Sequence, residues 1–226
     1  MILAAGRGER MRPLTDHTPK SMLPVRNKPL IFRHLEKLAD AGFGKVVINH
    51  AHLGEQIESA VGDGRRWNLA VRFSPEAQAL ETAGGIRHAL PLLREPVFAV
   101  VNADVYSDYD YCGLANAIRQ MHAATLAHLV LVDNRPHHPY GDFSLEGGLV
   151  RAGSADLFTF SGIGVYRAAL FAAIAPGSKQ ALAPLLRAQM ALGKISGEYF
   201  HGEWDDIGTP QRLADLEARL SQPPRA

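Results

Sequence analysis

Short apolar runs rich in β-branched residues alternate along the chain with stretches of helical period, which predicts a largely parallel sheet flanked by helices. The candidate strands are Ile2 to Ala5, Val46 to Asn49, Leu69 to Phe73, Val97 to Val101 and His128 to Val132. Between them, Leu30 to Ala41, Gly54 to Val61, Ala83 to Leu93 and Leu114 to Ala123 carry apolar residues at helical spacing. Each helix can return the chain to a neighbouring parallel strand by a right-handed crossover. After about residue 133 the alternation loosens, and Pro136, Pro139, Gly141, Gly147 and Gly148 suit a hairpin, read as an insertion. Thr209 and Pro210 form an N-cap and first-turn pair ahead of Leu213, Leu216 and Leu220, which predicts a closing helix. The prolines at 223 and 224 read as a frayed tail.

Composition narrows the class without deciding it. A chain of 226 residues, 46% of them hydrophobic, can fill one sizeable core, and no linker or composition shift marks a boundary, so a single domain over 1–226 is expected. Lys and Arg total 24 against 23 Asp and Glu, a balance that gives no support to a nucleic-acid or membrane partner. The lone Cys112 excludes an intrachain disulfide and a multi-cysteine zinc site, and reads as a buried small hydrophobe. The apolar start is too short for a signal peptide and no run is long enough to span a bilayer, so a cytoplasmic protein is expected. The apolar start also reads directly as a strand, which leaves room for a native start slightly upstream.

Charge is concentrated locally. Arg7, Arg10, Arg12, Lys20, Arg26 and Lys28 face only Glu9 and Asp16 within the first thirty residues, a surplus of four positive charges that suits an anionic ligand. The stretch LAAGRGERMRPLTDHTPKSMLPV leaves the first strand through Gly6 and Gly8, whose missing side chains let backbone amides approach a phosphate. Met11 stands where a dinucleotide fingerprint needs its third glycine, and no Gly-Lys-Ser/Thr of a Walker loop follows. Pro13 and Pro19 stiffen the segment on which Arg10 and Lys20 are presented. Any one of these cations, taken alone, is an ordinary surface charge.

Together they resemble the signature of the sugar-phosphate nucleotidylyltransferase family, G-x-G-T-R-L-x-P-L-T followed by P-K and a proline. Gly6, Gly8, Arg10, Pro13, Leu14, Thr15, Pro19, Lys20 and Pro24 match it, while Glu9 replaces Thr and Met11 replaces Leu. The resemblance implies the Rossmann-like nucleotide-diphospho-sugar transferase fold, a nucleotide-binding part over about 1–110 and a sugar-binding part over about 111–226. It also implies nucleotide contacts from Ala5, Gly6, Gly8, Glu9, Arg10, Lys20 and Asn102, with Arg10 and Lys20 catalytic.

FAVVNADVYSD reads as a buried strand ending at a polar tip, and ligands of open α/β sheets bind beyond the carboxyl ends of strands. A carboxylate there, Asp104, suits Mg2+, which takes few protein ligands; a solvated turn aspartate is the competing reading. GEWDDIGTP resembles the family's closing motif W-x-D-x-G-T-P, which makes Asp206 the second metal ligand and Asp205 a bystander. Near SPEAQALETAGGI, free amides at a helix start suit a nucleotide, with Glu81, Thr82, Gly84 and Gly85 as candidates and Thr82 as helix N-cap the alternative. The resemblance implies base contacts from Gln78 or the backbone near Gly85, and sugar contacts from Gly141, Ser161 and Gly162. Many relatives place a lysine of a Glu-Lys-Pro motif on the sugar phosphate; here only Arg151 lies near that point of the chain.

The expected reaction is Mg2+-dependent transfer of a nucleotidyl group from a nucleoside triphosphate to a sugar 1-phosphate, releasing pyrophosphate. The runs VINHAHLGEQIE, LETAGGI, LVLVDN with His137 and His138, and TFSGIGVY resemble the family's cell-wall-recycling branch, which implies UTP and a phosphorylated amino-sugar acid. The two histidines read equally as loop residues. A guanylyltransferase for mannose 1-phosphate and a thymidylyl- or uridylyltransferase for glucose 1-phosphate are the rivals. A binding module that has lost its chemistry is the non-enzyme rival, against which the intact Arg10, Lys20, Asp104 and Asp206 argue.

Overall fold

The computed structural model describes residues 1–153 and 155–221, so the expected proline tail lies outside the described residues. In chain order the strands are β1 (Ile2–Leu3), β2 (Pro24–Val25), β3 (Lys28–Pro29), β4 (Lys45–His50), β5 (Ala70–Pro75), β6 (Val97–Asn102), β7 (Val105–Ser107), β8 (Ala127–Val132), β9 (Ser144–Glu146), β10 (Leu149–Arg151), β11 (Thr159–Arg167), β12 (Ile195–Tyr199) and β13 (Trp204–Asp206). The helices are α1 (Leu30–Asp40), α2 (Gly54–Val61), α3 (Glu81–Leu93), α4 (Cys112–Gln120), α5 (Leu182–Met190) and α6 (Pro210–Leu220). All five expected strands and all five expected helices form, with ends shifted by a few residues. Cys112 is the exception to the burial expected of it: it opens α4 on the exposed surface.

Nine of the described strands form one sheet in the order β5-β4-β1-β6-β11-β8-β12-β10-β9. The β5, β4, β1 and β6 neighbours are parallel, as helical crossovers require. From β1 the chain builds outward through β4 and β5, then crosses to the other side of β1 to lay down β6. This reversal opens a crevice at the carboxyl ends of β1 and β6, where such sheets bind ligands. Beyond β6 the sheet is mixed. β11 inserts antiparallel between β6 and β8, and β8 and β12 are again parallel. The hairpin expected after residue 133 is β9 and β10, whose two-residue turn is Gly147 and Gly148 with φ of 55° and 78°. Two successive positive φ values are what a tight hairpin turn demands, and glycine adopts them without strain.

Period-two alternation divides the core across the sheet. Val46, Ile48, Val101, Val130 and Val132 face α1, α2 and α4, packing with Ile31, Leu35, Ile57 and Leu114. Val47, Phe98, Val100, Leu129 and Leu131 face α3 and α5, packing with Ile86, Leu182 and Leu186. A third cluster joins the ends of the chain: Met11, Leu23, Val25, Leu30, Ile207 and Leu216 are all buried together. The closing helix starts as expected, the Thr209 hydroxyl accepting the Arg212 N–H at 3.3 Å with Pro210 in the first turn.

One buried titratable group gives the fold a predicted pH dependence. His34 of α1 is 3% exposed, with Nδ1 2.7 Å from the Tyr111 hydroxyl. Burial pushes its pKa down from 6.5 to about 4. Between those values the unfolded chain binds a proton that the folded chain refuses, so stability is full above pH 6.5 and falls as the pH drops toward 4. The loss expected from this group is roughly 3 kcal/mol. Chemical denaturation from pH 7 to 4 should show that slope and His34→Gln should flatten it; an identical slope in the variant would remove His34 as its source.

Candidate active site

The phosphate loop is a folded unit in its own right. Three short 3-10 turns, Glu9–Met11, Leu14–Asp16 and Lys20–Met22, wind it over the end of β1. Thr15, fully buried, donates its hydroxyl to the Gly8 carbonyl at 2.8 Å, and Arg7 Nη1 donates to the Thr15 carbonyl at 2.8 Å. Gly8 has φ of 70°, and a Cβ there would lie 3.0 Å from Thr15 Cγ2 and 3.3 Å from Lys20 Cβ. A Cβ at Gly6 would meet nothing within 4 Å. The first glycine therefore serves the loop's own packing, and the second leaves open space at the cavity wall.

That cavity, of about 260 Å³, lies beyond the carboxyl ends of three adjacent parallel strands and is lined by Leu3 of β1, Asn49 of β4 and Asn102 of β6. Ala5, Gly6, Gly8, Lys20, Glu81, Thr82 and Asp104 complete most of its wall. Six of the residues expected at the nucleotide thus converge with one expected metal ligand. Glu9, Arg10, Gln78 and Gly85 are not part of the wall. Glu9, Arg10 and Gln78 are exposed outside it, and Arg10 makes no ion pair or hydrogen bond among the described residues.

The two carboxylates come together through a short ladder. β7 and β13 pair antiparallel, with Asp206 opposite Val105, and Ile207 N donates to the Asp104 carbonyl at 2.8 Å. Each carboxylate is already compensated. Lys20 Nζ is paired with Asp104 Oδ2, while Arg212 Nη1 lies 2.5 Å and His137 Nε2 2.8 Å from Asp206 Oδ1. His137 is therefore more than a loop residue, and Arg212 is a member of the site that the motif alone did not mark. Asp205 is no bystander: it is 9% exposed and paired with Arg219 of α6 and, at 3.8 Å, with Arg135. Among the described residues no cluster of three or more His, Cys, Asp or Glu forms. Two partly exposed carboxylates at a phosphate-sized cavity fit a hard cation that fills its remaining positions with ligand oxygens and water; they do not fit a closed zinc site.

The start of α3 differs from the open anion site expected there. Its N-cap is Leu80, so Thr82 is a second-position residue lining the cavity and not the cap. The Ala83 and Gly84 N–H groups both donate to the Gln180 carbonyl, at 3.0 and 3.1 Å, and are not free for a nucleotide. Gly85 is buried because a Cβ there would lie 2.7 Å from Glu76 Oε1 and 2.9 Å from Asn49 Nδ2. It makes room for a polar pair that the sequence did not single out. Glu76, 6% exposed, accepts from Asn49 Nδ2 at 2.7 Å and from Leu80 N at 2.8 Å, and Asn49 Oδ1 accepts from Ala4 N at 2.9 Å.

A second cavity of about 420 Å³ abuts the first, sharing Glu81, Thr82 and Asn102 and adding Asp142, Phe143, Phe160 and residues of α5. None of the three expected sugar residues lines it directly. Ser161, 1% exposed, spends its hydroxyl on the Val130 carbonyl at 2.6 Å and the Ile163 N–H at 3.1 Å inside a bulge of β11. Gly162, with φ of 76°, leaves the space that Asn102 occupies, since a Cβ would lie 2.5 Å from Asn102 Nδ2. Gly141, with φ of 64°, would clash with Asn134 and Leu157, and it sets the path of the chain into Asp142. All three act one layer behind the wall. Arg151 is in β10, opposite Ser144 in the edge hairpin.

Over this geometry, residues 1–155 match the model of the nucleotidyl transferase family. The chain belongs to that family. It is 50% identical to the N-acetylmuramate alpha-1-phosphate uridylyltransferase of Neisseria meningitidis serogroup B over 96% of both chains. With the enzyme of the same name from Caulobacter vibrioides it shares 34% identity over 98% of this chain and 96% of the relative. A Bacillus anthracis protein crystallised with a sucrose has the same fold, with a TM-score of 0.85 at 18% identity, covering 100% of this chain and 96% of the other. The chain is a sugar-1-phosphate nucleotidyltransferase. No helix among the described residues is long and apolar enough to cross a membrane.

In this nucleotidyltransferase the Glu76 clamp joins β1, β4 and the α3 loop. Glu76→Ala would strand the Asn49 amide and the Leu80 N–H in the interior, at a cost of about 3 kcal/mol. Denaturant unfolding should register that loss; a change under about 1 kcal/mol would show that the clamp does not hold the loop.

Proposed function

We propose that the chain transfers a uridylyl group from UTP to N-acetylmuramate 1-phosphate, releasing pyrophosphate, with the triphosphate in the first cavity and the acceptor in the second. The observation that carries the reading is the abutment of the two cavities at Glu81, Thr82 and Asn102, beside Lys20 and Asp104. A nucleotide α-phosphate and an acceptor phosphate oxygen must meet at such a junction for in-line displacement. The choice of base and sugar follows the full-length relatives from Neisseria and Caulobacter.

The acceptor oxygen attacks the α-phosphorus, the bond from that phosphorus to the bridging oxygen breaks, and pyrophosphate leaves with the electron pair. No general base is required, because a sugar phosphate is already anionic at neutral pH. Asp104 and Asp206 would hold Mg2+, which when bound supplies charge neutralisation to phosphate oxygens. Lys20 turns from Asp104 to the reacting phosphate, and the exposed Arg10 closes over the departing pyrophosphate. Gly6 and Gly8 bring backbone amides to the triphosphate without a side chain between. Arg212 and His137 orient Asp206.

Purified protein assayed with four nucleoside triphosphates and several sugar 1-phosphates, with pyrophosphate as readout, should prefer UTP and N-acetylmuramate 1-phosphate. Activity confined to GTP and mannose 1-phosphate would sink the substrate assignment, and tight nucleotide binding without turnover in Mg2+ would sink the enzyme. With the best pair, Arg10→Ala and Asp206→Asn should each lower kcat/KM by about a hundredfold or more while the folded state persists.

A further inference from the structure

The acceptor cavity presents negative charge to a ligand that is itself negative. Its polar lining is Glu81, Thr82, Asn102 and Asp142, with no lysine or arginine in the wall. On the reading given under Proposed function, on which this inference rests, the acceptor brings a phosphate and a carboxylate into that space. Anions entering a partly desolvated cleft beside two carboxylates need a cation close by.

Lys179 stands at the rim where the two cavities meet. Its Nζ lies 3.7 Å from Glu81 Oε1, and Glu81 lines both cavities. The backbone beneath it is fixed. Gln180 accepts from Ala83 N and Gly84 N and donates to the Leu80 carbonyl at 3.0 Å, and a Cβ at Gly84 would lie 2.4 Å from the Ser178 carbonyl. The next residues, Ala181, Leu182 and Ala183, wall the acceptor cavity. A flexible four-carbon stem therefore rises from a base stitched to the first turn of α3.

The pair itself is loose. Lys179 and Glu81 are well exposed at the side chain and separated beyond hydrogen-bonding distance, so the ammonium can leave its partner at little cost. Glu81 also holds φ at 60°, a left-handed conformation that glycine would take without strain. A charged side chain at that position is retained against its backbone preference. The other permanent cation near the wall, Arg187, is packed over the Phe143 ring, 5.6 Å from its centroid.

We propose that Lys179 is the cation that receives an anionic group of the acceptor, moving from Glu81 to the acceptor's phosphate or carboxylate when the sugar phosphate binds. It takes up, from a different part of the chain, the charge that a lysine of the Glu-Lys-Pro motif supplies in relatives that have one. Glu81 parks the ammonium at the junction and repels anions until the exchange occurs.

Steady-state kinetics on the full chain separates these roles. Lys179→Gln should raise the acceptor KM about tenfold or more and leave the UTP KM within about twofold, and Lys179→Arg should recover most of the loss. Glu81→Gln should lower the acceptor KM. A rise shared by N-acetylmuramate 1-phosphate and N-acetylglucosamine 1-phosphate assigns Lys179 to the phosphate; a rise confined to the former assigns it to the carboxylate. An acceptor KM unchanged in Lys179→Gln, or a rise produced by Arg187→Gln in its place, overturns the proposal. The wild-type substrate profile tests the uridylyltransferase reading separately. Calorimetric titration of wild type and Lys179→Gln with whichever sugar phosphate binds gives the same comparison without turnover.

Discussion

Burial of Met11 against Ile207 and Leu216 is the constraint on which the site depends. Met11 is the middle of the cation-bearing loop, and Ile207 follows Asp206 directly, so one apolar contact brings together groups almost two hundred residues apart. All three are 0% exposed, and burying side chains of this size contributes about 1.5–3 kcal/mol each. The polar groups around them hold geometry at far lower gain, because exposed ion pairs are worth less than about 1 kcal/mol. A methionine where relatives carry leucine fits the same space, since the exchange conserves volume and the thioether adapts to irregular walls.

Around that anchor, several glycines are explained by their neighbours. Gly85 gives its space to the Asn49–Glu76 pair and Gly162 gives its space to Asn102. In both cases a side chain in the wall or just behind it is fixed by the absence of another. The Glu76 carboxylate extends this logic by holding Asn49 and Leu80, so that the ends of β1 and β4 and the entry to α3 move as one. Such fully satisfied buried polar groups rigidify a site, whereas half-satisfied ones would loosen it.

The sheet was legible where each strand is one layer of a repeating βα unit. The run Val97–Asn102 is apolar because both its faces are covered, and the flanking helices carry the complementary stripe. β11 was not legible as the strand that separates β6 from β8, because its antiparallel placement depends on a return from the distant hairpin. Within the site, residues that expose backbone or charge to the cavity carried a signal: Gly6, Gly8, Lys20 and Asp104 line the wall as their pattern indicated. Ser161, Gly162 and Gly85 lie behind it, since a motif marks where small residues are needed without saying whether a ligand or a neighbour needs them. Glu76, Arg212 and His137 act through partners far away in sequence, and no local spacing marks them.

Both candidate metal carboxylates rest on protein cations, Asp104 on Lys20 and Asp206 on Arg212 and His137. Without such partners, two carboxylates brought side by side by the β7–β13 ladder would repel each other and raise the energy of the empty site. With them, the pair is held in place before any ligand arrives, so binding redistributes charge that is already paired. A divalent ion taking the carboxylates releases Lys20 toward the phosphates, where an additional positive charge is useful. The loop that carries His137 also carries His138, whose Nε2 is 3.1 Å from Asp142 in the acceptor cavity. One short segment thus touches a carboxylate on each side of the junction, which gives the two halves of the site a common support.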